Sequence, residues 1–104
     1  MIFYPKMQLS HLREIGWRLW DPIGLKNRDG TWNDACADEY DSYLLRAAGM
    51  MSQGHSRAEV SAYLVRIASD HMGLSYVNEA TAVSVSDAIA NYLLSLPDGP
   101  TVIG

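Results

Sequence analysis

The chain has a single cysteine, Cys36, among its 104 residues. No intrachain disulfide can form, which excludes the disulfide-stapled class of small secreted domains. Basic residues are also scarce: eight Lys and Arg stand against twelve Asp and Glu, for a net charge of -4. The eight are scattered, with no run able to neutralise a phosphate backbone, so no nucleic-acid partner is expected. No stretch approaches the roughly 18 apolar residues of a membrane span, and no membrane partner is expected either. The segment from Met1 to Lys6 lacks the basic region and long apolar run of a signal peptide. Together these features make a cytoplasmic location the expectation.

Catalytic signatures are missing as well. The glycine-rich nucleotide loops and the Gly-x-Ser-x-Gly elbow do not occur. His11, His55 and His71 lie in three separate segments without zinc-ligand spacing. No cofactor and no metal site is expected, and the balance leans away from an enzyme. Cys36 has no flanking nucleophile signature and reads as a small packed thiol.

What is present is helical periodicity in a composition that is 48% hydrophobic and 19% charged, the mark of a globular chain. One domain over 1–104 is expected, with 97–104 as a loose tail after Pro97. The first helix reads as Gln8 to Trp20, with Leu12, Ile15, Gly16 and Leu19 on one face. Pro22 ends it. Pro22 to Asp34 is a loop rich in turn formers, in which Ile23, Leu25 and Trp32 are expected to pack on the body. Trp17 lies at the edge of the first stripe, either exposed as an interface anchor or covered by the Trp32 loop.

A second helix is expected over Ala35–Gln53, with Tyr40, Tyr43, Leu44, Ala47 and Met51 inward and Gly54 closing it. Ser56-Arg57-Ala58-Glu59 is a capping-box pattern opening a third helix. Val60, Tyr63, Leu64, Ile67 and a partly buried His71 follow along its apolar side, Arg66 and Asp70 are spaced as an ion pair, and Gly73 ends it. A last helix reads as Ser84 to Leu96, with an alternative start near Asn78. Four amphipathic helices make an all-α fold, a compact bundle-like or orthogonal array.

Two motifs carry the functional reading. In Trp20-Asp21-Pro22-Ile23-Gly24, Asp21 can accept the amides of Ile23 or Gly24 in an Asx-turn, or stand as a carboxylate at a pocket mouth. In Asp38-Glu39-Tyr40-Asp41-Ser42-Tyr43, the acids suit a positive helix start. They can equally form a patch with the tyrosines for a basic partner. The candidate binding residues are Trp20, Asp21, Asp38, Glu39 and Asp41. The expected function is a non-enzymatic protein-binding module. The alternatives are a small-ligand receptor or enzyme in which Asp21, Asp41 and His71 converge on a pocket, and a homodimeric or larger structural subunit.

The order of these motifs, with Gly54 and His71-Met72-Gly73-Leu74, resembles a group of small bacterial all-α proteins of unknown function. The resemblance covers roughly Leu12 to Leu96. It implies a bacterial origin and supports the fold. Some similar small acidic helical proteins act as immunity partners of bacterial toxins, which implies an immunity-like or regulatory role without assigning any residue.

Overall fold

Four α-helices carry the fold: α1 (Leu9–Ile15), α2 (Asp41–Ser52), α3 (Arg57–Arg66) and α4 (Glu79–Ser95). They belong to a computed structural model that describes residues 2–4, 6–74, 77–96 and 101–102. The architecture is all-α, as the periodicity requires. Ile2–Phe3 (β1) and Thr101–Val102 (β2) add a minimal antiparallel ladder, with Ile2 opposite Val102. Most of the expected tail, 97–100 and 103–104, lies outside the described residues.

The first helix changes character half-way. Gly16–Trp20 widen into a π-turn, in which the Asp21 amide donates to the Gly16 carbonyl, five residues back, at 2.9 Å. A wider turn rotates the side chains beyond it relative to an α-helical register. Leu12, Ile15 and Gly16 are buried as expected, but Leu19 is 42% exposed. Trp17 and Trp20 turn inward in its place. Gly16 faces α2 so closely that a Cβ there would lie 2.6 Å from Leu44 Cδ1.

The second helix starts at Asp41, six residues later than the sequence reading placed it. A 3₁₀ turn (Asp34–Cys36) and a further turn through Tyr40 precede it. The Trp17 indole N–H donates to the Ala37 carbonyl at 3.0 Å, which engages that carbonyl outside any helix. Asp38 and Glu39 therefore lie before the helix, and Asp41 alone of the three occupies its first turn. Tyr40, Leu44, Ala47 and Ala48 form its buried side, and Gly54 follows its end at φ 96°.

The capping box of α3 is present in full: the Ser56 hydroxyl accepts the Glu59 amide, and Glu59 accepts the Ser56 amide. Val60, Tyr63 and Leu64 are buried. A second π-turn, Ile67–His71, then breaks the expected stripe. Ala68 takes the buried position, Ile67 is half-buried, and His71 is exposed rather than partly buried. Asp70 accepts from its neighbour Ser69 at 3.1 Å. The expected Arg66–Asp70 bridge is not among the ion pairs of the described residues.

The last helix follows the earlier of its two expected starts. The Asn78 side chain accepts the Ala80 and Thr81 amides at 3.0 and 3.4 Å, so Val83 and Ser84 lie inside α4 and Ser84 caps nothing. The helix runs antiparallel to α3. Near its start, the Ser61 hydroxyl donates to Ser86, whose own hydroxyl donates to the Ala82 carbonyl, both at 2.9 Å. Further along, Arg57 reaches Asp87 and Asn91. Against α1, the His11 ring stacks on Tyr92 at 3.9 Å, and the Gln8 amide donates to the Tyr92 hydroxyl. Leu12, Leu44, Val60, Leu64, Val85 and Ile89 fill the centre with no exposed surface. Each such side chain contributes about 1.5–3 kcal/mol through burial. The aromatic residues collect at one end, and that end positions the candidate site.

Candidate functional site: an aromatic corner pinned by Asp21

The two motifs singled out in the sequence meet at Tyr40. Its phenol is buried between Trp17, at a ring distance of 4.9 Å, and Trp20, at 5.4 Å. Its hydroxyl donates to Asp21 Oδ1 at 2.8 Å and receives the Ile23 amide at 3.4 Å. Burial, and then the Asp21 carboxylate, raise the tyrosine pKa well above its ordinary value, so the phenol stays neutral and keeps its proton for Asp21.

Asp21 is the hub of the corner. It takes the left-handed conformation at φ 35°, the sole non-glycine with positive φ among the described residues. Short polar side chains tolerate this region by bonding locally. Asp21 does so through the Leu25 amide, on Oδ1 at 2.9 Å, and the Lys26 amide, on Oδ2 at 3.0 Å. The sequence pointed to the Ile23 or Gly24 amides. Gly24 N–H instead reaches the Asp21 backbone carbonyl at 3.1 Å. One carboxylate thus ties the end of the first helix, the loop after it and the turn before α2.

Trp20 and Asp41 are used internally. Trp20 is 8% exposed, packed against Tyr40 and edge-on to Tyr43. Asp41 holds Arg13 of α1 by two bonds, Nε to Oδ1 at 3.1 Å and Nη2 to Oδ2 at 2.5 Å. That pairing raises the guanidinium pKa further above its usual range. Of the five candidate binding residues, Asp38 and Glu39 are the two that are exposed.

The alternative trio does not assemble. Asp21 borders a cavity of about 190 Å³ between Pro22, Ala68 and the start of α4, and neither Asp41 nor His71 lines it. Asp41 is turned to Arg13, and His71 sits edge-on to Tyr43 at 6.2 Å. Among the described residues, no three of His, Cys, Asp and Glu are grouped to hold a metal ion. No described helix is long and apolar enough to cross a membrane.

Other features of the corner were only partly signalled in the sequence. Ile23 and Leu25, expected to pack, are 40% and 38% exposed, on a backbone held by the Ile23 amide on the Tyr40 hydroxyl and the Leu25 amide on Asp21. Trp32 does pack as expected, in a parallel stack on Trp17 at 5.4 Å. That stack covers Trp17, which has no exposed surface, and decides between its two readings. A turn rich in polar residues, closed by Asn27 N–H to Thr31 carbonyl at 2.7 Å, leads into Trp32. Arg18, Leu19, Lys26 and Trp32 there share one open groove.

Compared with known proteins, the chain matches no family model, no curated protein and no solved structure. Its functional reading rests on the residues themselves.

Proposed function

We propose that this protein is a non-enzymatic protein-binding module, immunity-like or regulatory and cytoplasmic, whose recognition surface is the exposed side of the Asp21–Tyr40 corner. The observation that carries this reading is the rigid presentation of Ile23 and Leu25. Both are exposed aliphatic residues on a short loop whose backbone is already bonded to Asp21 and Tyr40. Ordering loops on association costs free energy, and a loop fixed beforehand avoids that cost. Asp38 and Glu39 are exposed on the segment that ends at Tyr40, and they add acidic groups to the proposed surface. Carboxylates together with aliphatic groups suit a partner with a basic rim, and the net charge of -4 would speed its approach.

The test is capture of binding partners by tagged protein from its native lysate, with two surface variants as controls. One is Asp38→Lys with Glu39→Lys; the other is Leu25→Asp. Asp41 is left unchanged because it pairs with Arg13. A stoichiometric partner held by the wild type and lost by both folded variants is the expected result. A partner retained by both would place recognition elsewhere on the molecule.

A further inference from the structure

A second surface, one the protein-binding reading does not use, has the chemistry of a small-molecule site. An open groove of about 780 Å³ lies over Trp32, with Arg18, Leu19 and Lys26 among its walls and the 29–31 turn along one side. That is within the range of small-ligand pockets, about 300–1,000 Å³.

The floor is an indole held flat from beneath. Trp32 stacks on Trp17 with 5° between the ring planes. Trp17 is itself fixed by complete burial and by its bond to the Ala37 carbonyl. Trp32 is half-buried and lines the groove. A planar ring gains most from stacking on a surface that does not need to be ordered first.

The walls carry two cations from different segments. Arg18 extends from the π-turn and pairs with Glu14 at 2.6 Å, but both side chains are largely exposed, so the guanidinium keeps donors free for exchange. Lys26 has no ion pair among those of the described residues, and its backbone is set by Asp21. Asp29 also lines the groove. Its Oδ1 is taken by the Thr31 hydroxyl at 2.6 Å and the Thr31 amide at 3.0 Å, which hold its pKa below the usual carboxylate value. The acid braces the turn and stays ionised, so Arg18 and Lys26 against Asp29 leave the wall with a net single positive charge to meet an incoming anion.

We propose that this groove binds a small ligand made of a planar aromatic ring and an anionic group, of the nucleoside monophosphate class. The ring stacks on Trp32, and the phosphate lies within reach of Arg18 and Lys26. Each half alone binds more weakly: a free phosphate has nothing for the indole, and an uncharged nucleoside leaves both cations unused. The groove is lined by other residues than the proposed recognition surface: Ile23, Leu25, Asp38 and Glu39 do not line it.

The experiment is a titration of the isotope-labelled full chain, followed by NMR, with adenosine monophosphate, adenosine and inorganic phosphate as separate probes. The monophosphate is expected to shift the Trp32 indole N–H and the Lys26 and Thr31 amides in a saturable way. Adenosine alone and phosphate alone should each bind at least about fivefold more weakly. Arg18→Gln with Lys26→Gln, both surface changes, should keep a folded spectrum and reduce monophosphate binding to the adenosine level. Trp32→Leu should abolish it, and Trp32→Phe, which keeps a ring over Trp17, should retain part. The proposal is overturned if the monophosphate gives no saturable shift at Trp32. It is equally overturned if phosphate alone binds as well, or if the double cation variant binds unchanged.

Discussion

The Tyr40 hydroxyl donates to Asp21 Oδ1 at 2.8 Å, across 19 residues of chain, and so joins the end of the first helix to the turn that opens the second. The same oxygen receives the Ile23 amide. Removing it leaves a carboxylate one donor short and an amide without its partner. Tyr40→Phe keeps the ring among Trp17 and Trp20 and deletes these two bonds. It should lower stability by about 1.5–3 kcal/mol, the range for a hydrogen bond to a charged group. Chemical denaturation at neutral pH measures this.

The same residue sets an alkaline limit. An unfolded tyrosine loses its proton near pH ~10, whereas burial and Asp21 raise the folded value above that. Between the two, the folded state binds more protons, so its stability is complete below pH ~10 and falls as pH rises further. Wild-type unfolding midpoints should decline above pH ~10, and Tyr40→Phe should decline less steeply. Parallel slopes in the two proteins would assign the alkaline limit to another group.

Gly16 marks the closest approach of α1 and α2, with a hypothetical Cβ at 2.6 Å from Leu44 Cδ1. Leu44 is fully buried, so its side chain has little room to yield. Overpacking costs about 1–3 kcal/mol, and alanine recovers up to about 1 kcal/mol in helix propensity. With the full propensity gain realised, Gly16→Ala should therefore be net destabilising by up to about 2 kcal/mol. In a Leu44→Ala background the penalty should vanish, because the opposing methyl is gone. A double-mutant cycle measures that coupling.

Local chemistry was legible in the sequence, and changes of helical pitch were not. The Ser56–Glu59 box and the turn glycines Gly54 and Gly73 depend on residues a few positions apart, and they stand where the pattern put them. The exposed Leu19 and His71 follow from π-turns, where the chain departs from the 3.6-residue period that pattern reading assumes. The start of α4 was obscured by Thr81 and Val83, β-branched residues that weaken the helical signal, while the Asn78 cap was there to be read. The acidic motif was split by a contact from far away, the Trp17–Ala37 bond, which no local rule contains. Hence Trp20 and Asp21 were singled out by a local motif, but their meeting with Tyr40, and which of the acidic residues face solvent, required the fold.

Glu59 makes the acid limit of α3 testable. Its carboxylate accepts the Ser56 amide and also contacts the His55 ring, and these bonds lower its pKa below the ordinary value of about 4.3. Such a group adds stability that is present above the unfolded pKa and is lost as pH falls through the folded one. Wild type should lose this increment below pH ~4.3, while Glu59→Gln should lack it at neutral pH and show a flatter acid limb. Ser56→Ala should cost about 1 kcal/mol through loss of the cap itself. Thermal melts from acidic to neutral pH distinguish the two effects.

Charge reversal within the acidic motif should separate surface from scaffold. Asp41 is bound by Arg13 through two bonds, with its side chain 13% exposed, whereas Asp38 and Glu39 are open to solvent. Asp41→Lys sets two cations face to face at the junction of α1 and α2 and removes the anion from the first turn of α2. Its melting temperature should fall clearly below wild type. Asp38→Lys and Glu39→Lys should melt within the small range of ordinary surface changes. The pair Arg13→Asp with Asp41→Arg should recover part of the loss by restoring opposite charges across the same contact. If Asp41→Lys melts like Asp38→Lys, the bidentate pair contributes nothing to the fold, and Asp41 returns to the recognition surface alongside its two neighbours.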